Sequence, residues 1–299
     1  MSERRHFRYD PDMSVDDFLR RMGEVGALGA GRLARAAEVL ERMWDSGATV
    51  LLTVAGPAVA GGLRDLFELL IREGLVDAVI TSGANVVHDA LEALGGVHVV
   101  KGRRNVDGYG RVYDVHVPME AFERFERFMR DVMRDLPERV SGRELLWEMG
   151  RRLEDGFLRA AAEEGVPVYS PGLLDSMVGL HVWLYAQDHR LELDLVDDMH
   201  HLADLVFEAD ELGAIMLGGS VPKHFAMGAA MLRGGLDYAV QITMDRPETG
   251  SLSGAPLEEG KSWDKVREDA EVATVIGDYT VLFPLLVTGV LQRLGIGRC

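Results

Sequence analysis

Ala48-Thr49-Val50-Leu51-Leu52-Thr53-Val54-Ala55-Gly56-Pro57 decides the fold. An apolar run rich in β-branched residues stops at two small residues and a proline, which reads as a buried strand ending in a turn. Similar short runs recur at 76–81, 166–169, 214–217, 238–243 and 272–276, the one at 166–169 carrying Pro167, a residue that suits only the beginning of a strand. Amphipathic stretches at 63–72, 121–134, 145–164 and 195–207 lie between them. Buried strands alternating with helices predict an α/β protein with a doubly wound, mostly parallel sheet. Residues 102–118 break the rhythm and read as an excursion, a small hairpin at the sheet's rim.

Upstream, Ser14-Val15-Asp16-Asp17 reads as a helix cap, with Phe18, Leu19 and Met22 on one face. The glycine-broken link 23–31 would let this helix swing out as an arm onto a neighbouring subunit. The expected division is therefore an N-terminal arm with helices over 1–47 and one α/β domain over 48–299.

The 299 residues, 47% apolar and 27% charged, have the composition of an ordinary globular protein. A net charge of -17 argues against nucleic acid, whose phosphates need clustered Lys and Arg, and suits a cationic partner or simple solubility. Cys299 is the only cysteine, so one chain builds neither a disulfide framework nor a thiolate metal site. The start, MSERRHFRYDPDM, lacks the apolar core of a signal peptide, and the longest apolar run, 279–291, is too short to span a bilayer. A cytoplasmic protein without membrane contact is expected.

Small residues recur at the strand ends: Ala55-Gly56-Pro57, Ser82-Gly83-Ala84-Asn85 and Gly218-Gly219-Ser220. Ligands of open parallel sheets bind at these carboxyl ends, and a dinucleotide is the natural candidate for a Rossmann-like sheet. The GxGxxG fingerprint is absent, and each glycine alone is equally a tight turn. Asp175 and Asp278 follow short strands, where a carboxylate either accepts from ribose hydroxyls or caps the next helix. His224, in GGSVPKHF, stands where an imidazole would bond a substrate amine or serve as a structural donor. His88-Asp89 and His200-His201 lack HExxH or comparable spacing, so no metal site is expected, and the second pair reads as surface.

Glu259-Gly260-Lys261-Ser262-Trp263-Asp264-Lys265-Val266 carries the chemistry. A helix cap at Ser262 would put Lys265 at the third helical position, where the dipole disfavours a further positive charge and favours a nucleophilic neutral amine. Trp263 would exclude water from it. Taken alone, a solvated lysine at a helix start explains the same residues.

Together, SGANVVHD, SPGLLDS, LGGSVPKHF, DYAVQIT, GSLSGAPLEEGKSWDKVR and GDYTVLFPLLV resemble deoxyhypusine synthase in their order and nearly in their spacing, from about the arm helix to Leu291. The resemblance implies a homotetramer with active sites between paired subunits, NAD at the sheet edge, and a ball-and-chain helix, matched by residues 14–22. It implies that hydride passes from spermidine to NAD, that the butylimine moves to Lys265, and that the aminobutyl group then passes to a lysine of the hypusine-bearing translation factor. By position, Gly56, Ser82, Gly83, Asp175, Gly219, Asp245 and Asp278 fall on the NAD contacts. His224, Gly250, Ser251, Glu259 and Trp263 fall along the polyamine tunnel, His224 also in a catalytic place. Where eukaryotic members carry acidic residues, this chain has Val87 and His88, Leu180 and Leu252, with Gly228 in place of an amide residue; Glu259 and His88 would supply polarity instead. The alternatives are a homospermidine synthase, which transfers to putrescine, and a catalytically inactive dinucleotide-binding scaffold.

Overall fold

A computed structural model describes residues 6–297. Cys299 lies outside them. In chain order come α1 (Val15–Val25), α2 (Leu28–Asp45), β1 (Thr49–Val54), α3 (Arg64–Arg72), β2 (Ala78–Thr81) and α4 (Gly83–Ala93). Then follow β3 (Val99–Val100), β4 (Tyr109–Val112), β5 (Val115–Pro118), α5 (Met119–Arg134), β6 (Arg139–Ser141), α6 (Gly142–Arg152), α7 (Phe157–Glu164) and β7 (Val168–Tyr169). The last are α8 (Met177–Tyr185), β8 (Glu192–Asp194), α9 (Leu195–Glu208), β9 (Leu212–Leu217), α10 (Ser220–Met231), β10 (Leu236–Thr243), β11 (Val266–Ile276) and α11 (Tyr279–Leu294).

The main sheet has the order β7-β2-β1-β9-β10-β11. Numbered along the chain, its six strands run 3-2-1-4-5-6, the doubly wound order in which direction of travel reverses between β1 and β9. Each of the six apolar runs forms one of these strands. The β11 strand is longer than its apolar half, because Arg267-Glu268-Asp269 extend it along an exposed edge where charge is tolerated. Residues 109–118 form the expected hairpin, β4 against β5, with β3 added.

The chain divides into two compact units, Met1–Thr53 with Leu205–Cys299, and Val54–Asp204. This partition is drawn along different lines from the 1–47 and 48–299 read off the sequence. In the first unit, α1 starts with a full capping box between Ser14 and Asp17. Leu19 is fully buried, and a Cβ on Gly289 would lie 2.3 Å from its Cδ1, so α1 and α11 approach through the missing side chain. Arg293 locks the pair, bonding Asp16 at 2.7 Å and Glu41 at 2.6 Å. The first helix thus lies against its own unit.

In the second unit the expected single helix over 145–164 is two, α6 and α7, broken at Gly156. Gly156 has φ 96°, and a Cβ there would sit 2.4 Å from Asp89 Oδ1. Asp89, fully buried, accepts from Phe157 N (3.1 Å), Leu158 N (3.0 Å) and Arg64 Nε (2.8 Å). A remote carboxylate therefore caps α7, whose own sequence offers no capping side chain. Replacing Asp89 by Ala orphans both amides, while Arg64 keeps Asp155, and should cost about 2–4 kcal/mol in denaturant unfolding; a loss of under about 1 kcal/mol would contradict this role.

Candidate active site

In the first unit the parallel strands β9, β10 and β11 end in register. Gly218 N donates to Ile242 O and Gly277 N to Thr243 O, each at 2.8 Å. The loops that follow carry Gly219, Asp245 and Asp278. Gly219 has no room for a side chain, since a Cβ would lie 2.3 Å from Ser253 Cα. Ser220 takes φ 53° and its N–H donates to Ser253 Oγ at 3.1 Å. At the start of α10 the Ser220 amide is thus taken by Ser253, Pro222 has none and Lys223 N donates to Gly219 O, so Val221 N–H is the first-turn amide left without a bond to a described residue. Asp278 does cap α11, but through Oδ1 alone, which accepts from Thr280 N and Oγ1 at 2.9 and 2.8 Å. Asp245 accepts from Ser251 Oγ at 3.3 Å. Gly250, at φ 67°, turns the chain just before that serine.

Lys265 is set differently from the sequence expectation. Ser262 caps no helix; its Oγ donates back to Glu259 O at 2.8 Å within a 3-10 turn spanning Leu257–Trp263. Asp264, at φ 54°, reverses the chain, and Lys265 directly precedes β11, its N–H on Gly260 O and its carbonyl receiving Leu236 N–H. The turn presents its C-terminal end here, so the helix-dipole argument does not operate. Trp263 is 62% exposed, its ring centroid 5.8 Å from Lys265 Nζ, and so does not screen the amine within one chain.

A cavity of about 360 Å³ gathers Lys265, His224, Glu259, Trp263, Leu252 and Lys223. Three lysines stand in this region. Lys261 Nζ donates to Glu268 O at 2.5 Å. Lys223, only 2% exposed, donates to Gln241 Oε1, Leu252 O and Ala255 O at 3.0, 3.0 and 2.9 Å. Burial pushes its ammonium down to about 8, with the charge of Lys265 adding to the effect and Glu259 opposing it. Lys265 Nζ alone of the three makes no hydrogen bond to a described residue. The sequence reading passed over Lys223. Its signal was the spacing Pro222, Lys223, Ala226, Met227, Ala230, which places a lysine on the buried face of α10.

In the second unit, Ser82 N donates to Val54 O at 3.2 Å, joining the ends of β1 and β2, and Gly56 turns at φ 75°. Gly83 packs so tightly on Ser176 that a Cβ would come within 2.5 Å of it. Ser176, not Asp175, caps α8, which leaves the exposed Asp175 carboxylate without a capping task. His88 is buried and faces another cavity, of about 300 Å³. Its Nδ1 lies 2.7 Å from His98 Nε2, and His98 Nδ1 in turn contacts Glu92. His201, expected at the surface, is half-buried and its Nδ1 lies 2.6 Å from the Tyr169 hydroxyl. Of the positions where acidic residues are missing, Val87 is buried, whereas Leu180 and Leu252 are exposed by 43% and 48%. A side chain at Gly228 would meet nothing within 4 Å, so the absent amide is no steric necessity. No three His, Cys, Asp or Glu side chains among the described residues are placed to share a metal ion.

A sequence model of deoxyhypusine synthase matches residues 17–290. The chain belongs to the deoxyhypusine synthase family. It is 79% identical over 295 residues to a relative from Methanopyrus kandleri named "Probable deoxyhypusine synthase", covering 98% of this chain and 99% of the relative. One of the same name from Methanothermobacter thermautotrophicus is 46% identical over 300 residues, covering 97% and 98%. A crystal structure from Entamoeba histolytica described as a "putative deoxyhypusine synthase" shares the fold, with TM-score 0.69 and 21% identity over 96% of each chain. Membership makes the chain an enzyme of the aminobutyl-transferase type.

Burial and the neighbouring His98 push the His88 imidazole down to about 4, with Glu92 opposing. Arg111, which lines the same cavity, is the other charged side chain facing it. An unfolded histidine titrates near 6.5, so between about pH 4 and 6.5 the unfolded chain binds more protons. The stability tied to neutral His88 is full above that window and is lost as the pH falls through it. Relative to His88→Gln, the parent chain should lose about 2 kcal/mol more between about pH 7 and pH 4.5. Equal losses in denaturant melts would contradict a neutral buried ring.

Proposed function

We propose that this chain is a NAD-dependent deoxyhypusine synthase, which transfers the 4-aminobutyl group of spermidine through an imine on Lys265 to a lysine of the hypusine-bearing translation factor. The observation that carries the reading is the Lys265 amine, free of hydrogen bonds to described residues, beside Glu259 and Trp263 in one cavity. A nucleophilic amine has to give up protons and free a lone pair, and the two neighbouring lysines are instead held as N–H donors to oxygen acceptors.

The strand-end turns fit a dinucleotide. Gly218-Gly219-Ser220 brings bare backbone up against Ser253, the start of α10 keeps the Val221 amide, and Asp278 keeps Oδ2 for a hydroxyl. In the first unit, Gly219, Asp245 and Asp278 would contact NAD. Bound there, NAD supplies a hydride acceptor, and after the transfer a hydride donor.

The chain's own groups do the rest. Glu259 offers a carboxylate to the substrate ammonium, and Trp263 a wall for its methylenes. Once the amine carbon has been oxidised to the imine level, Lys265 Nζ adds to that carbon; the carbon–nitrogen bond to the propyl arm breaks, diaminopropane leaves with its proton, and a Lys265 imine remains. The acceptor lysine then displaces Lys265 in the same way. His224, exposed at the cavity wall, is placed to bond the substrate amine, and Gly250 and Ser251 shape the approach. Exposed Trp263 and Leu252 leave one side of the cavity uncovered in the single chain, which supports a homotetramer with sites completed by a second subunit. No helix among the described residues is long and apolar enough to cross a membrane.

Incubation with NAD, labelled spermidine and the precursor factor should label the factor. Label on added putrescine in its place would assign a homospermidine-type transfer, and no cleavage at all would leave only a dinucleotide-binding scaffold. Lys265→Ala should abolish transfer while NAD-dependent spermidine cleavage stays detectable, and Lys265→Arg should fail too, because guanidinium stays protonated. Unimpaired transfer in either variant removes Lys265 from the mechanism.

A further inference from the structure

Glu92, His98 and His88 form one hydrogen-bonded line that ends at the cavity in the second unit. A carboxylate only accepts, so His98 carries its proton on Nδ1. In a neutral His98 the Nε2 is then a lone pair, and the 2.7 Å contact has His88 donate from Nδ1. With both rings neutral, this leaves His88 Nε2 as an acceptor, and it bonds to no described residue. The line is well shielded: His98 is 7% exposed in its side chain and His88 8% overall. Glu92 is held from the far side by Arg64 Nε at 3.6 Å, and Arg64 is itself fixed on Asp89 and Asp155.

Val87, Val112, Phe122 and Met177 give the cavity an apolar wall of the kind that suits a methylene chain. No carboxylate lines it, and its one permanent charge is Arg111, which is bonded to Tyr113 O and Asn105 Oδ1. A cationic nitrogen would meet a like charge there without a counterion. An uncharged nitrogen on an alkyl chain meets one acceptor.

We propose that His88 accepts a hydrogen bond from an uncharged amine nitrogen of the substrate, and that His98 and Glu92 are positioning residues that fix it in the acceptor tautomer. The ligand class rests on the polyamine reading above. The tautomer does not, because it follows from the buried line with both rings neutral. In this way a helix residue and a loop histidine supply polarity at a position where the chain has no carboxylate. The expected consequence is selection for the deprotonated substrate, the form whose lone pair must be free when the neighbouring carbon gives up hydride.

The test uses the full chain with ¹⁵N-labelled histidine. Long-range ¹H–¹⁵N correlation, assigned with His88→Gln, should find His88 protonated on Nδ1, and spermidine added without dinucleotide should move its Nε2 resonance. Steady-state kinetics complete it. His98→Phe should raise KM for spermidine about tenfold with KM for NAD unchanged, while His98→Gln, whose amide oxygen also accepts from His88 Nδ1, should restore most of the loss. A His88 proton on Nε2, no spermidine-induced shift, or equal impairment of the two His98 variants overturns the proposal. The tautomer is read without turnover, so a chain that fails to transfer the aminobutyl group yet keeps the Nδ1-protonated ring separates failure of the functional reading from failure of this one.

Discussion

Gln241 holds the first unit's ligand edge together with one amide. Fully buried in the middle of β10, it donates from Nε2 to Gly218 O and Ser253 O, both at 2.9 Å, and accepts from Lys223 Nζ. Each partner belongs to a different piece of the site: the turn after β9, the loop before the 3-10 turn, and α10. Lys223 extends the reach of the amide, because its remaining bonds go to Leu252 O and Ala255 O of the same loop. A buried ammonium without a salt-bridge partner among the described residues is stable only while all three oxygens stay in place. The loop is therefore fixed from beneath, and the cavity wall in front of Lys265 inherits that rigidity. Pre-organisation of this kind is what the proposed role of Lys265 calls for, since an attacking amine meets its electrophile in a narrow range of angles.

The second unit uses the same principle with different chemistry. Asp89 and Glu92 share Arg64, one to start α7 and the other to orient His98. Two carboxylates three residues apart on α4 thus serve the fold and the cavity through one guanidinium. His88, Asp89 and Glu92 lie on neighbouring turns of this helix, so the register of α4 sets both tasks at once.

The six strands were legible as apolar runs, and their doubly wound arrangement followed from the helices between them. What the runs did not contain was the charged half of β11, since an edge strand needs no burial, or the break at Gly156, which is stabilised by a carboxylate 67 residues away in sequence. At the site, Lys265, Trp263 and His224 stood out by type and position and Glu259 by the family resemblance, and the four share one cavity. The setting of Lys265 was misread because Ser262, which looks like a cap, bonds backward inside a short turn. Lys223 was visible in the periodicity of α10 but was passed over beside His224. His98 could not be reached by spacing at all, because it lies beyond the end of α4 and only the fold returns it to His88.

The central claim is that Lys265, and neither Lys223 nor Lys261, becomes the covalent carrier. Borohydride added to a mixture of the protein, NAD and spermidine reduces any protein imine to a stable secondary amine, which peptide mass mapping then locates. An aminobutyl adduct is expected on the peptide holding Lys265, and none when that residue is alanine. An adduct on Lys223 or Lys261, or spermidine cleaved without any protein adduct, would contradict it.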